Sequence, residues 1–502
     1  MTSLWQCLIA SAEAHPAKPA LVLGETALSY AELARQAECL AGWLQRRAGV
    51  ARGDRVLLWS QNSLEFVVAS YAVLRADAVV VPVNAMWTAD EVQHLVDDSG
   101  ARVAIVAGEF LHRLPAAGLQ VVAIGDGETE HTRWDVALAA GARPLPHRAT
   151  ADDLAVLPYT SGTTGRPKGC MHSHATVQAA NRAAAAWRGQ DSDDVFLAVA
   201  PLFHALGMQN GMHLPLMLGA TAVLLPRWNR DAALALVERR RVTCWAAPPT
   251  MLLDFFSNPA LEPDAVRSLK LVTGGSAPMP EVLATAMRER FGIVYQEGYG
   301  MTETASFLFG NPPQRPKPGS LGVPGPGVDC RIVDPETRRE LPAGEVGEIV
   351  VHGPQVTLGY WGQPQATAEA FIDIGGRRHL RTGDLGRIDA DGYFFMTDRL
   401  KRMISVSGYK VWPAEVEARL QAHPAVHEAC VIATPDARSG EAVKAIVVVK
   451  PDATLDAASL LAWCREAMAV YKAPKSVQFV AELPKSNTGK VLWRELQEQE
   501  RR

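Results

Sequence analysis

Long apolar runs are missing from these 502 residues: nothing approaches the roughly 18 consecutive apolar positions that a membrane-crossing helix needs. The start, MTSLWQCLIASAEAHPAKPA, has no basic stretch ahead of an apolar core, so no secretory leader is expected and the cytosol is the expected location. Cysteine is sparse and poorly spaced for a disulfide framework or a zinc site. The seven, Cys7, Cys39, Cys170, Cys244, Cys330, Cys430 and Cys464, are odd in number and include no C-x-x-C pair, so they read as reduced thiols. An excess of one charge is also lacking. Fifty Lys and Arg against 54 Asp and Glu give a formal net charge of -4, and no long basic run offers itself to nucleic acid. Repeats and low-complexity tracts are absent from the sequence, which excludes solenoids and fibres. Any anion that binds here must be held by a local constellation.

What is present is a globular composition, 48% hydrophobic and 21% charged, in a chain long enough for two or three packed units. Ser29 is placed to cap a helix whose Leu33, Ala37, Leu40 and Leu44 recur at helical spacing, and the strand-like RVLLW and AVVVP follow. The alternation returns through VFLAVAP, ATAVLLP, VTCWAAPP and LKLVTGG, each ending in Pro or Gly as strands do when they feed a loop. From about Pro312 to Gly362, Pro and Gly punctuate short strands such as CRIVD and GEIVVHG, a β-rich lobe. After Asp398 the basic RLKRMI opens a stretch of mixed signals. The expected fold is α/β: a large N-terminal domain of α/β layers plus a β-rich lobe, residues 1–398, and a small mobile α+β C-terminal domain, residues 399–502.

The densest chemical signal is Tyr159-Thr-Ser-Gly-Thr-Thr-Gly-Arg-Pro-Lys-Gly169. Gly162, Gly165 and Gly169 let backbone N–H groups approach an anion, Thr160, Ser161, Thr163 and Thr164 add hydroxyls, and Lys168 adds a point charge. The spacing is not that of a Walker loop, because Pro167 stands where that motif has Gly before its Lys. A flexible polar hairpin is the bland alternative, and so dense a donor set around one Lys outweighs it.

This segment resembles the phosphate loop of the adenylate-forming superfamily, the acyl-CoA synthetases, luciferases and nonribosomal adenylation domains. The superfamily's other signatures follow in order: Pro201-Leu-Phe-His204, Tyr299-Gly-Met-Thr-Glu303, Arg381-Thr-Gly-Asp384, Asp398-Arg-Leu-Lys401, Ser407-Gly-Tyr-Lys410 with its continuation to Glu417, and Pro484-Lys-Ser-Asn-Thr-Gly-Lys490. The resemblance spans nearly the whole chain and implies an ATP-dependent acid:CoA ligase, with fatty-acid and aryl-acid CoA ligases the nearest kinds. It implies catalytic roles for Lys490, Thr302, Glu303 and Lys168, with Glu303 holding Mg²⁺. An ATP and AMP site is implied from the phosphate loop, Gly274, Ser276, Ala277, Pro278, Glu297, Gly298, Tyr299, Gly300, Met301, Thr302, Asp384, Arg399 and Lys490. Tyr299 offers its face to adenine and Asp384 accepts the ribose hydroxyls. Ser407, Gly408, Tyr409 and Lys410 are implied for CoA, and Lys401 is the implied hinge that turns the C-terminal domain between half-reactions.

For the acyl group the resemblance implies His204, Leu206, Gly207, Met208, Asn210, Trp245, Gly274, Gly298, Met301, Ser306 and Phe307. These stretches are mostly apolar and contain no Lys or Arg, so the expected substrate is a medium- or long-chain fatty acid, with an aryl or arylpropenoic acid as the alternative. An acyl carrier protein in place of CoA, and a second copy of the chain, are the further candidate partners. His172 and His174 fit no familiar zinc spacing and are read as structural. Two departures from the pattern, Leu380 before RTGD and Ala433 before Pro-Asp, touch none of this chemistry.

Overall fold

The computed structural model describes residues 2–115, 118–125, 127, 129–160, 167–275, 279–312, 314–406, 409–436, 438–486 and 490–501. Compactness divides the chain into two units, Met1–Asp329 with His352–Leu380, and Cys330–Val351 with Arg381–Arg502.

In the first unit Ser29 caps a helix as its position predicts. Its Oγ accepts the Glu32 N–H at 3.2 Å, and Leu33, Ala37, Leu40 and Leu44 are buried along Tyr30–Arg46. Strands rich in β-branched residues lie beside one another in parallel. Arg55–Trp59 pairs with Val79–Pro82 and with Val103–Ala107, in a seven-stranded sheet whose antiparallel edge is His172–Ser173. The four residues of Val79–Pro82 are all buried, as expected for a parallel strand covered on both faces. A second, nine-stranded sheet runs Val323–Pro324, Phe309–Gly310, Tyr295–Tyr299, Leu271–Gly274, Cys244–Ala246, Val195–Ala198, Thr221–Leu224, Pro19–Leu23, Thr26–Ser29. Its centre is parallel and its edges are antiparallel. One hydrophobic core joins the two sheets, with Leu57, Val80 and Ile105 from the first, Leu21, Ala198 and Leu224 from the second, and Leu40 and Val67 from helices. The parallel strands of the second sheet end at loops that carry the chemistry-bearing residues, the usual place for a site in such sheets.

The second unit is built on two sheets. Asp329–Val333, Gly347–His352 and Arg377–Ile388 are neighbours in order, and Phe394–Arg399 pairs antiparallel with Arg377–Ile388. Beyond it, the long hairpin of Val426–Asp436 and Gly440–Val449 is flanked by Ile404–Val406 and Ser476–Phe479. The helices Pro413–Gln421, Ala457–Ala467 and Trp493–Arg501 accompany it. Val416, Val431, Val443, Val447 and Leu460 form its core. The β-rich stretch seen between Pro312 and Gly362 is therefore shared out between the units, because its strands find partners on both sides in sequence.

Candidate active site

Lys168 owes its position to a short hairpin: Lys168 pairs with Thr160 and Gly169 with Tyr159. A Cβ at Gly169 would lie 3.0 Å from the Tyr159 ring and 3.1 Å from Leu157, so a larger residue at this close crossing would have to displace those side chains by a few tenths of an ångström. The Tyr159 hydroxyl donates to Asp98 at 2.6 Å, fixing the outer strand. The loop itself, Ser161, Gly162, Thr163, Thr164 and Gly165, lies outside the described residues, as do Ser276, Ala277 and Pro278.

Glu303 sits in a tight turn, Thr302–Thr304, at the end of Tyr295–Tyr299. The chain folds back so closely that a Cβ at Gly300 would lie 1.2 Å from the Ser306 carbonyl, and Ala305 and Ser306 adopt positive φ of 47° and 83°. Non-glycine residues take that region at a cost, so neighbours must hold the turn. The Thr304 hydroxyl accepts the Met301 N–H at 3.1 Å, the Thr357 N–H donates to the Glu303 carbonyl at 2.8 Å, and His172 Nε2–H donates to the Thr302 carbonyl at 2.7 Å. Burial pushes the His172 imidazole down to about 4, which keeps it neutral with one ring nitrogen free to accept from Thr176 at 3.1 Å. His174 accepts the Leu4 N–H at 3.0 Å and is likewise depressed by burial, to about 4. Both histidines of the MHSH segment are thus occupied in packing the fold.

Tyr360, which sequence reading passed over, joins the two charged groups. Its hydroxyl donates to Glu303 Oε1 at 3.0 Å, and the Lys168 ammonium lies 5.3 Å from its ring centroid. Burial, with the Glu303 charge second, pushes the phenol up and keeps it a donor. A lysine ammonium and a carboxylate are in this way held around one phenol. Glu303 is a single buried carboxylate, and among the described residues no cluster of three metal-ligating side chains occurs. That donor set fits Mg²⁺, which takes one or two carboxylates and completes its octahedron with phosphate oxygens and water. Tyr299 stacks on Phe309 with centroids 5.4 Å apart. Glu297 is half-buried, and the loss of solvent raises its carboxyl to about 7.

Of the expected acyl residues, His204 precedes the helical turn Ala205–Met208, which contains Leu206 and Gly207. Gly207 is required there, since a Cβ would lie 2.2 Å from the Pro201 carbonyl. Asn210 lies in the following π-helical turn, Gln209–His213, and Phe307 is buried. Trp245 is fully buried in the core, stacked on Trp228 at 5.9 Å and edge-on to Phe255 at 5.0 Å. Gly274 and Gly298 lie on adjacent parallel strands. A Cβ at Gly274 would lie 2.0 Å from the Ala247 carbonyl, whereas one at Gly298 would make only ordinary contacts near 3.5 Å.

The second unit carries its own group. Asp384 and Arg399 lie opposite each other across antiparallel strands, with Arg399 Nε 3.2 Å from Asp384 Oδ1. The stretch of strand before Asp384 is anchored by Glu348, another residue that sequence reading missed because it sat in an ordinary strand pattern. Its carboxylate accepts from Arg381 at 2.8 Å and from the Gly383 N–H at 3.1 Å, where Gly383 has a φ of +71°. The Lys490 N–H donates to Ser486 Oγ at 3.2 Å, and the Ser486 N–H donates to the Lys490 carbonyl at 2.8 Å. Burial, and next the Arg399 charge, lower the Lys490 ammonium to about 8, with Asp384 acting the other way. Of the CoA residues, Ser407 and Gly408 lie outside the described residues, Tyr409 is exposed and stacks on Tyr471 at 4.9 Å, and the Lys410 backbone pairs with Ser405. The Lys401 backbone lies in the turn Leu400–Arg402.

Known proteins are similar to this chain along nearly its whole length. Residues 8–361 match the AMP-binding enzyme family and residues 415–490 the AMP-binding enzyme C-terminal domain. A feruloyl-CoA synthase from an Amycolatopsis species is 39% identical over 93% of this chain and 93% of its own. A long-chain-fatty-acid–CoA ligase of Bacillus subtilis is 32% identical over 99% and 94%. The crystal structure of ATP-bound MatB from Rhodopseudomonas palustris superposes with a TM-score of 0.91 at 32% identity, covering 99% of each chain. No helix among the described residues is long and apolar enough to cross a membrane. With both family segments matched and the relatives covered almost end to end, the chain belongs to the AMP-binding enzyme family and is an AMP-forming acid–CoA ligase that works with ATP, Mg²⁺ and CoA.

Proposed function

We propose that the acid is a monocarboxylic one with a largely apolar body, and that residues 1–398 and 399–502 act as the functional halves with Lys401 as the hinge. In the first half-reaction a carboxylate oxygen attacks the α-phosphorus of ATP. The new P–O bond forms as the bond to the β-phosphate oxygen breaks, and pyrophosphate leaves. Two anions must meet, so the chain's task is to neutralise and orient. Lys168 supplies a cation to the phosphates, the Thr302 hydroxyl donates to the α-phosphate or the acyl carboxylate, Asp384 and Arg399 hold the ribose, and Lys490 bridges the carboxylate and α-phosphate oxygens in this step only. Mg²⁺ held by Glu303 would neutralise charge on the departing pyrophosphate. In the second half-reaction the CoA thiolate attacks the acyl carbonyl and the C–O bond to AMP breaks, with the segment Ser407–Lys410 serving the pantetheine in place of Lys490.

The observation that supports the adenylation chemistry is the Lys168–Tyr360–Glu303 cluster, in which one phenol donates to a carboxylate suited to Mg²⁺ and has an ammonium suited to phosphate 5.3 Å from its ring. Medium- or long-chain fatty acids and aryl or arylpropenoic acids both meet the description of the substrate, and relatives named for each are comparably similar. The test is pyrophosphate release, dependent on ATP and Mg²⁺, across fatty acids of increasing length and aryl acids, with and without CoA. Thioester formed only with CoA supports the reading. Release without thioester, restored by an acyl carrier protein, overturns CoA as the acceptor.

A further inference from the structure

Arg188 ends the helix His174–Arg188, which Ser173 caps at one end and Gly189, at a φ of 63°, closes at the other. It belongs to none of the motifs above. Its Nη1 donates to Asn210 Oδ1 at 2.7 Å, and its guanidinium carbon lies 5.2 Å from the Phe307 ring centroid. No carboxylate pairs with it among the described residues. Burial pushes it down to about 10, with Cys244 and Tyr295 the groups whose charge it feels. Tyr295 adds a second, independent anomaly. Its hydroxyl is buried without a hydrogen-bond partner among the described residues, and a Cβ at Gly274 would lie 2.9 Å from it.

A guanidinium has five N–H donors, and one bond to a neutral amide satisfies little of that demand. Arg188 is half-buried, and a cation partly withdrawn from water without a counter-charge gains when a partner oxygen arrives with a ligand. Asn210, Phe307 and Gly274 are among the residues that the family resemblance implies for the acyl group of the proposed acid, so this inference rests on that reading. The expected acyl stretches contain no Lys or Arg, but Arg188 reaches two of their residues from a helix outside them.

We propose that Arg188 is a specificity-determining residue that donates to an oxygen at the end of the acid remote from the reacting carboxylate, so that the substrate is an oxygenated acid, foremost a hydroxyaryl one, rather than a plain alkyl chain. The ring of such an acid finds Phe307 as an aromatic wall, and its phenolic oxygen accepts from the guanidinium while the Tyr295 hydroxyl gains a partner.

The experiment measures pyrophosphate release by the full-length enzyme with 4-hydroxycinnamate, cinnamate, decanoate and decanedioate, for the unaltered chain and for Arg188→Met and Arg188→Lys. The unaltered chain is expected to use 4-hydroxycinnamate with kcat/KM at least about tenfold above that for cinnamate. Arg188→Met should collapse that ratio by about 10- to 100-fold, the range a lost charged hydrogen bond gives, and Arg188→Lys should restore part of it. Preference for decanedioate over decanoate, lost in Arg188→Met, would assign the oxygen to a second carboxylate and overturn the phenolic choice. Unchanged ratios in a folded Arg188→Met variant, or an unaltered enzyme that prefers cinnamate and decanoate, overturn the inference. Gly298→Ala separates this failure from that of the acyl assignment. If it narrows the range of accepted acids while Arg188→Met moves nothing, only the inference fails; if neither changes selectivity, the acyl site lies elsewhere.

Discussion

In the proposed first half-reaction Lys490 is the side chain whose protonation bears most directly on adenylation. Burial and the neighbouring Arg399 lower it to about 8, below the ordinary lysine value of 10.5, so the cation is complete below that point and is lost as pH rises through it. The pH dependence of kcat/KM reports groups of the free enzyme. The rate of pyrophosphate release should therefore fall as pH passes about 8, while Lys490→Arg, whose charge persists, should keep a flat profile there at a lower plateau. A descending limb at the same pH in Lys490→Arg would assign it to another group. Glu297 makes a second residue-scale prediction. Its carboxyl is raised to about 7 by burial, above the 4.5 of an unfolded chain. Between those values the folded state holds a proton that the unfolded state has released, so stability falls as pH rises from about 4.5 through 7. Glu297→Gln should flatten that part of the pH–stability curve in thermal melts, and an unchanged slope would refute the assignment.

At the scale of elements, turns decide the site. The turn Thr302–Thr304 is followed by two non-glycine residues at positive φ, and His172 supports it from the strand beyond the phosphate loop. His172→Leu keeps the apolar packing but leaves the Thr302 carbonyl without its donor, which costs about 1–3 kcal/mol when buried. The Mg²⁺ concentration for half-maximal activity should rise several-fold in this variant, and His172→Gln, which can still donate, should recover part of the loss. An unaltered Mg²⁺ requirement would leave His172 a packing residue only. Which elements were legible in the sequence follows the same logic. The Ser29 helix and the buried parallel strands were readable because a cap or an apolar run is a local property. The candidate residues Lys168, Glu303 and Asp384 were readable because a motif picks each of them out. Tyr360, Glu348 and Arg188 were not. A tyrosine in a Gly/Pro stretch, a glutamate in an alternating strand and an arginine at a helix end acquire meaning only from what the fold sets beside them. The division of the stretch 312–362 between two units was hidden for the same reason, since strand partners are chosen over long sequence separations.

At the scale of the whole molecule the question is how one acyl site serves two reactions, and the proposed answer turns on Lys401. Its turn, Leu400–Arg402, is bracketed by Asp398, whose carboxylate accepts the N–H groups of Arg399 and Ala414 at 2.6 Å each. The second of those bonds ties the strand before the turn to the helix Pro413–Gln421 beyond it, so a swing at Lys401 has to break it. Proline at position 401 fixes φ near −65° and removes an N–H. A short turn tolerates proline better than a strand or a helix interior does, so the variant should fold and melt close to the unaltered enzyme. If the hinge swings between two backbone states, Lys401→Pro permits only one of them. Pyrophosphate release and acyl transfer from preformed acyl-adenylate to CoA, measured separately, should then diverge by about tenfold or more, one half-reaction surviving while the other fails. Equal loss in both would mean that the substitution damages the turn without selecting a state, and the alternation would have to be sought at another position.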